Sequence, residues 1–265
     1  MTREKNLKTS GKYDYIKYIT PDGYTSDIAI FTILSEMVGP HKPPRKTLKL
    51  MLIMRAEKDS KGEPNVEGGK WALPGGFIKP DETAYEAAVR ELEEETGVTG
   101  VKIKHFGIYD KPGRDTRGWI ISNAHYAIVP EHHLNKMQAG DDAAEVGLFD
   151  LKEIEKLSIA FDHKQIISEA LWFIKKDMAL TTLAKNFLPK EFVLSELQGV
   201  LLTVLDEEWL KRDAQFFRKG PTLPFIEKVT DNGKLKKTKK WSKSSAQLYQ
   251  FNDFEPIISI YNAKY

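Results

Sequence analysis

Cysteine is absent from all 265 residues. That removes disulfide bracing, thiolate nucleophiles and every zinc site built on sulfur, leaving carboxylates, imidazoles and carbonyls as metal ligands. Long apolar runs are missing too. The densest, IAIFTIL at 28–34 and LKLMLIM at 48–54, fall far short of a bilayer span, and the charged start MTREKNLKTSGKYDY leads into no apolar stretch of signal-peptide type. A soluble, cytoplasmic protein with no membrane partner is expected. Glycine (18) and proline (13) are too few for a fibrous or low-complexity chain, and no period of 20–50 residues recurs. No single sign of charge dominates either. Forty basic against 38 acidic side chains leave +2, a total that demands neither nucleic acid nor membrane. The balance breaks locally: over residues 211–243, eleven Lys or Arg face only Asp213, Glu227 and Asp231.

What is present suffices for an ordinary core. Hydrophobic residues make up 41% and aromatics 11% of a length that suits one to two domains. From Asp27 to about Asp150, short β-type runs alternate with turn signals and one clear helix, giving an α/β (α+β) domain. IAIFTIL and LKLMLIMRA read as buried strands, VKIKHFGIYD and ISNAHYAIV as two more, and EVGLFDL as a last short one. EMVGPHKPPRKT and DSKGEPNVEGGK are loops. Helical spacing then runs from Phe161 through Ile166, Ile167, Ala170, Leu171 and Ile174. The expected layout is an N-terminal extension over 1–23, the α/β domain over 24–160, a linker helix over 161–185 and a second unit over 186–265.

The sharpest feature is LPGGFIKPDETAYEAAVRELEEETGV at 73–98. On a helix at about 100° per residue, Glu91, Glu94 and Glu95 share one arc, while Tyr85, Ala88, Val89 and Leu92 occupy the neighbouring one. One side packs and the adjacent side presents three carboxylates. Like charges this close repel by a few tenths of a kcal/mol per exposed pair, and a divalent cation relieves that repulsion. Oxygen-only ligation suits Mg²⁺ or Mn²⁺, which also take diphosphate oxygens and activate water.

Gly76, Glu82, Arg90, Glu91, Leu92, Glu94, Glu95, Gly97 and Val98 match every fixed position of the Nudix box, and the sequence resembles the Nudix hydrolase family. The resemblance implies an α/β/α sandwich with a mixed sheet. It also implies hydrolysis, by water attack on phosphorus, of a nucleoside diphosphate linked to another group. It implies metal ligands at Gly75 (through its carbonyl), Glu91, Glu94 and Glu95, and structural roles for Gly76, Glu82, Arg90 and Gly97, with Glu82 and Arg90 as an acid–base pair. The general base is a box glutamate, Glu94 or Glu95, or an acid late in the domain, where Asp141, Asp142 and Glu145 stand; Glu145 is favoured, although such acids also serve turns and caps.

Outside the box, YDKPGRDTRGW at 109–119 resembles stretches in Nudix proteins that act on ADP-ribose. Arg114 and Arg117, with Arg55 at the end of the second strand, are candidates to grip phosphate or ribose. Phe77 or Trp71 is placed to stack on a flat base, with packing the commoner role for Trp71. Asp162 and His163 are read as fixing the start of the linker helix.

In the last unit, two helices, one after Ser195 and one over 207–219, precede a basic hairpin turning at Asp231-Asn232-Gly233. That is the order of a winged helix-turn-helix, and the whole layout resembles bacterial Nudix-related regulators of NAD and sugar metabolism. This implies a homodimer and DNA as a second partner, met by Arg212, Arg218 and Lys219 on the second helix and by Lys236, Lys237, Lys239 and Lys240 on the hairpin. A solvated basic hairpin on an accessory domain fits the same residues, and the acids at 206–208 oppose phosphate at that helix start.

Overall fold

Large aliphatic and aromatic side chains run from Ile28 to Ile33 without polar alternation except at Thr32, the pattern of a strand covered on both faces. In the computed structural model, which describes residues 20–59, 61–136 and 143–254, this run lies in β1 (Gly23–Glu36). It joins a seven-stranded mixed sheet with β2 (Arg45–Arg55), β3 (Trp71–Ala72), β4 (Gly75–Phe77), β5 (Ile103–Tyr109), β6 (Ile120–Ile128) and β7 (Ala143–Asp150). The central order is β3-β2-β1-β6-β5. β1 and β6 run parallel and every other pair is antiparallel.

Because side chains alternate across a strand, β1 feeds two cores. Ile28 and Ile30 pack with Met51 and with Ala88 and Leu92 of α1 (Ala84–Thr96). Ala29, Phe31 and Ile33 pack towards Ile166, Ile167, Ala170 and Ile174 of α3 (His163–Leu180), which follows the one-turn helix α2 (Leu151–Ile154). The result is the α/β/α sandwich. Helix α1 has well-defined ends. Thr83 and Glu86 form a reciprocal capping box, and Gly97, at φ 68°, takes the left-handed position that stops it.

The second unit holds α4 (Leu194–Leu202), α5 (Glu208–Lys211) and α6 (Asp213–Lys219), then β8 (Ile226–Lys228), β9 (Thr230–Asp231), β10 (Lys234–Leu235), β11 (Lys237–Thr238), β12 (Ala246–Gln247) and β13 (Tyr249–Phe251). The hairpin turn falls where expected: Asn232 (φ 50°) and Gly233 (φ 76°) lie between paired Asp231 and Lys234. The single helix expected over 207–219 is instead two. Arg212 leaves helical geometry at φ −93°, ψ 102°, and Gln198 of α4 pins the break by donating to the Leu210 carbonyl and to Asp213 Oδ1. Helix α4 begins at Leu194, ahead of Ser195, because Glu196 reaches back to accept from the Val193 amide at 3.0 Å. One apolar cluster runs from Phe31 and Leu50 through α3 to Leu197, Phe216, Phe225 and Tyr249, so the two units share a continuous core.

A buried histidine makes this sheet sensitive to acid. His125 of β6 is 2% exposed, lies 3.1 Å from Ser26 Oγ and meets the His105 ring edge-on at 5.2 Å. Burial, then the neighbouring His105, push its pKa down to about 4. The unfolded chain takes up this proton near pH 6.5, so the stability tied to neutral His125 is present above that pH and is lost as pH falls through about 4. Roughly 3 kcal/mol is at stake. Urea midpoints at pH 7.5 and pH 4.5 should separate less in His125→Gln than in the parent; an unchanged separation would contradict this assignment.

Candidate active site

The cleft exists because two central strands part. β1 and β2 stay paired from Glu36–Arg45 to Ile30–Met51 and then diverge. Into the gap run residues 71–77: β3 takes the vacated edge of β2, β4 takes that of β1, and Ile28 donates to the Pro74 carbonyl at 2.8 Å. Only glycine fits this approach. A Cβ at Gly75 (φ 156°) would stand 2.4 Å from the Ser26 carbonyl oxygen, and one at Gly76 would stand 2.3 Å from Glu91 Oε1. Gly76→Ala should therefore push the Glu91 carboxylate aside. A displacement near 1 Å costs about 10²-fold in rate, so kcat/KM is expected to fall by that factor with little change in circular dichroism; parental kcat/KM would refute the close-approach argument.

Arg90 organises the glutamates of α1. It forks onto Glu82 (2.6 and 2.9 Å), donates to the Phe77 carbonyl at 3.2 Å, and reaches Glu91 at 2.5 Å and Glu94 at 2.9 Å. Its guanidinium holds the Glu82 carboxyl down at about 2, so Glu82 is a permanent anchor. Burial pushes the Glu91 carboxyl the other way, above its ordinary value, against the opposing pull of Arg90. The Glu94 side chain is half exposed towards the cleft. Glu95 lies on the same helix, with its side chain outside the described part, and among the described residues no three acids or imidazoles close around one point. The donors present, all oxygen, beside a backbone kept bare at Gly75 and Gly76, fit a hard divalent cation.

The opposite wall is arginine and aromatic. Arg55, held by the Val66 carbonyl and Asn65 Oδ1, lies 5.2 Å from the Phe161 ring centre; Arg117 lies 5.3 Å from that ring and 5.0 Å from Phe77. Phe161 sits at φ 51°, a conformation bulky residues rarely take, and such outliers collect at functional sites. Arg114 and Arg117 both line the cleft, yet each is already engaged: Arg114 forks onto Asp162 at 2.7 and 2.9 Å, and Arg117 forks onto buried Asp115. His163 is buried and held neutral by desolvation. Its Nδ1 accepts from the Leu73 amide at 2.9 Å, tying the start of α3 to the glycine loop.

The cleft measures about 490 Å³ and brings together Arg55, Gly75, Gly76, Phe77, Arg90, Glu91, Glu94, Arg114 and Arg117. Other candidates lie elsewhere. Glu145 sits on β7 opposite Met54, exposed and off the cleft wall, while Asp141 and Asp142 fall outside the described residues. Trp71 packs edge-on against Phe149 at 4.6 Å. Asp162 gives α3 no side-chain cap and binds Arg114 instead. Asp27, Phe161 and His163 line the cleft without having been singled out as ligand contacts. Asp27 left a trace in the sequence, a lone acid opening an apolar run; the turn that aims Phe161 left none.

Far from the cleft, several basic candidates are paired. Arg212 lies 3.8 Å from Glu208, Lys236 lies 2.7 Å from Glu191, Lys240 lies 3.5 Å from Glu196 and over Trp241, and Lys219 lies over Trp209. Arg218, Lys237 and Lys239 are exposed and make no ion pair among the described residues.

A profile of the NUDIX domain matches residues 43–170. A MutT/nudix family protein of known structure from Listeria innocua is 52% identical, with a TM-score of 0.52, over 60% of this chain and 98% of that one. The chain belongs to the Nudix family. Among curated Nudix-related proteins it is 40% identical to an ADP-ribose pyrophosphatase of Methanocaldococcus jannaschii, over 47% of this chain and 66% of that protein. It is 26% identical to an ADPR responsive transcriptional repressor of Acinetobacter baylyi, over 86% of this chain and 81% of that protein. At 230 aligned residues, the likeness to the repressor takes in residues of both units. No helix among the described residues is long and apolar enough to cross a membrane.

Proposed function

We propose that this Nudix protein is a Mg²⁺- or Mn²⁺-dependent pyrophosphatase that converts ADP-ribose and water to AMP and ribose 5-phosphate. The observation that carries the reading is the complete box folded as one unit: Glu91 and Glu94, gathered by Arg90 against the bare backbone of Gly76, facing an arginine-lined wall across the cleft. Glu91, Glu94 and Glu95, with the Gly75 carbonyl, would hold the metal. When bound, the ion neutralises diphosphate charge and lowers the pKa of water. The remaining work belongs to the chain. Arg55, Arg117 and Lys79, which line the cleft, supply positive charge for the diphosphate. Phe77, exposed beside Arg117, offers a ring to a flat base. The proton acceptor is assigned to the box, at Glu94, because its half-exposed carboxylate lines the cleft and Glu145 does not. The substrate relation to the Methanocaldococcus enzyme supports ADP-ribose among nucleoside diphosphate compounds.

Turnover of a panel of nucleoside diphosphate sugars and dinucleotides with Mg²⁺ tests this choice. ADP-ribose should give the highest kcat/KM, with AMP as product; a higher value for a compound lacking adenosine would overturn the substrate assignment.

A second reading has its own support. At 86% of the chain, the likeness to the Acinetobacter repressor reaches into the second unit, where Lys237, Lys239 and Arg218 are exposed on the basic hairpin and α6. On this reading a homodimer binds DNA and responds to ADP-ribose. It predicts salt-sensitive binding to the gene's own upstream DNA, weakened by ADP-ribose and by neutralising Lys236, Lys237, Lys239 and Lys240; equal weak affinity for all DNA would count against it.

A further inference from the structure

Two carboxylates lining the cleft belong to neither the box nor an arginine fork: Asp59, exposed and turned to the Lys61 and Glu63 amides, and Asp27, which is buried. Asp27 of β1 is 6% exposed and lines the cleft beside Gly75. Its Oδ2 accepts from Ser122 Oγ at 2.5 Å and lies 3.7 Å from both Arg114 Nη2 and His163 Nε2, each beyond hydrogen-bond reach. Its Oδ1 accepts no hydrogen bond from the described residues. A buried anion with open lone pairs is expensive to leave unmatched. A diphosphate cannot supply the match, because it carries the same charge. A second cation is disfavoured by the guanidinium already beside Oδ2. Neutral hydroxyl donors remain, and a carboxylate has about four acceptor sites, enough for the adjacent hydroxyls of a sugar.

We infer that Asp27 is the sugar-recognition residue of the cleft, accepting hydrogen bonds from the vicinal hydroxyls of a substrate ribose. The inference rests on the pyrophosphatase reading and adds to it. The box and the arginines handle charge, whereas Asp27 tells a sugar-bearing diphosphate from a bare one. The Ser122 hydroxyl takes up one lone pair of Oδ2 and leaves Oδ1 open. Arg114 is held by Asp162 so that its charge balances Asp27 without capping Oδ1.

Calorimetric binding in EDTA, where no turnover interferes, tests this with ADP-ribose, ADP and inorganic pyrophosphate against the parent, Asp27→Asn and Ser122→Ala. Asp27→Asn should weaken ADP-ribose about 30-fold, the loss of two charge-assisted hydrogen bonds, and leave pyrophosphate within about twofold or tighter. ADP identifies the sugar: it weakens alongside ADP-ribose if the adenosine ribose is held, and keeps its affinity if the terminal ribose is. Ser122→Ala keeps the carboxylate and should stay within about threefold of the parent for every ligand. Asp27→Ser fits the same space and replaces the amide should Asp27→Asn fail to fold. ADP-ribose affinity unchanged by the Asp27 variants, an equal loss for pyrophosphate, or a Ser122→Ala variant that reproduces Asp27→Asn would each overturn the inference. A parent that binds ADP-ribose no better than pyrophosphate would overturn the inference as well, whereas the absence of Mg²⁺-dependent AMP release from the parent would overturn the pyrophosphatase reading on its own.

Discussion

Replacing Glu94 by Gln should lower kcat/KM for ADP-ribose by about 10³-fold or more while the melting temperature stays within a few degrees of the parent. The change is isosteric, and the Glu94 side chain is 55% exposed, so the fold loses little. What disappears is a negative oxygen facing the cleft, one of the two described carboxylates of α1 that Arg90 gathers. A factor of 10³ corresponds to about 4 kcal/mol of transition-state stabilisation, a reasonable share for a group that both holds the cation and accepts a proton. Steady-state kinetics at several Mg²⁺ concentrations separates the two roles: lost affinity is recovered at high metal, whereas lost proton acceptance lowers kcat at saturation. Turnover at the parental rate would remove Glu94 from the site.

The second large effect is expected at Arg90. Its guanidinium satisfies Glu82, Glu91, Glu94 and the Phe77 carbonyl together, so Arg90→Ala should lower kcat/KM about 10²–10³-fold and lower the melting temperature as well. Arg90→Lys should recover little, because a point charge cannot reproduce a planar fork that spans both Glu82 oxygens and still reaches Glu91. If lysine restored activity fully, the role of Arg90 would be charge alone, and the bidentate anchor described above would be wrong.

Much of the cleft was legible beforehand because its chemistry is local in sequence. Nine fixed positions over 73–98 encode a glycine loop, an anchoring acid–arginine pair and a helix face of glutamates, and the structure gathers Gly76, Glu82, Arg90, Glu91 and Glu94 in one place. The two long central strands were equally readable, since Ile28–Ile33 and Leu50–Ile53 are buried runs with no helical period, whereas the short β3 and β4 were not expected. The other wall was not. Whether Arg114 grips a ligand or a protein carboxylate depends on Asp162, 48 residues away, and both Nε and Nη2 are turned to that acid. Asp27 gains meaning only because β1 and β2 part beside it. The break at Arg212 follows from Gln198 on another helix, which no pattern within 207–219 announces. Local periodicity reads the elements; contacts between distant residues decide which polar groups remain for a ligand.

The central claim is that one cleft, through a divalent cation held by the glutamates of α1, hydrolyses a nucleoside diphosphate sugar. The most direct measurement is AMP release by the purified full-length protein from saturating ADP-ribose, with Mg²⁺ or with EDTA, in parallel with Glu94→Gln. The account predicts stoichiometric AMP and ribose 5-phosphate with Mg²⁺, none with EDTA and almost none from the variant. AMP formation that persists in EDTA, or none from the parent with either Mg²⁺ or Mn²⁺, would contradict it.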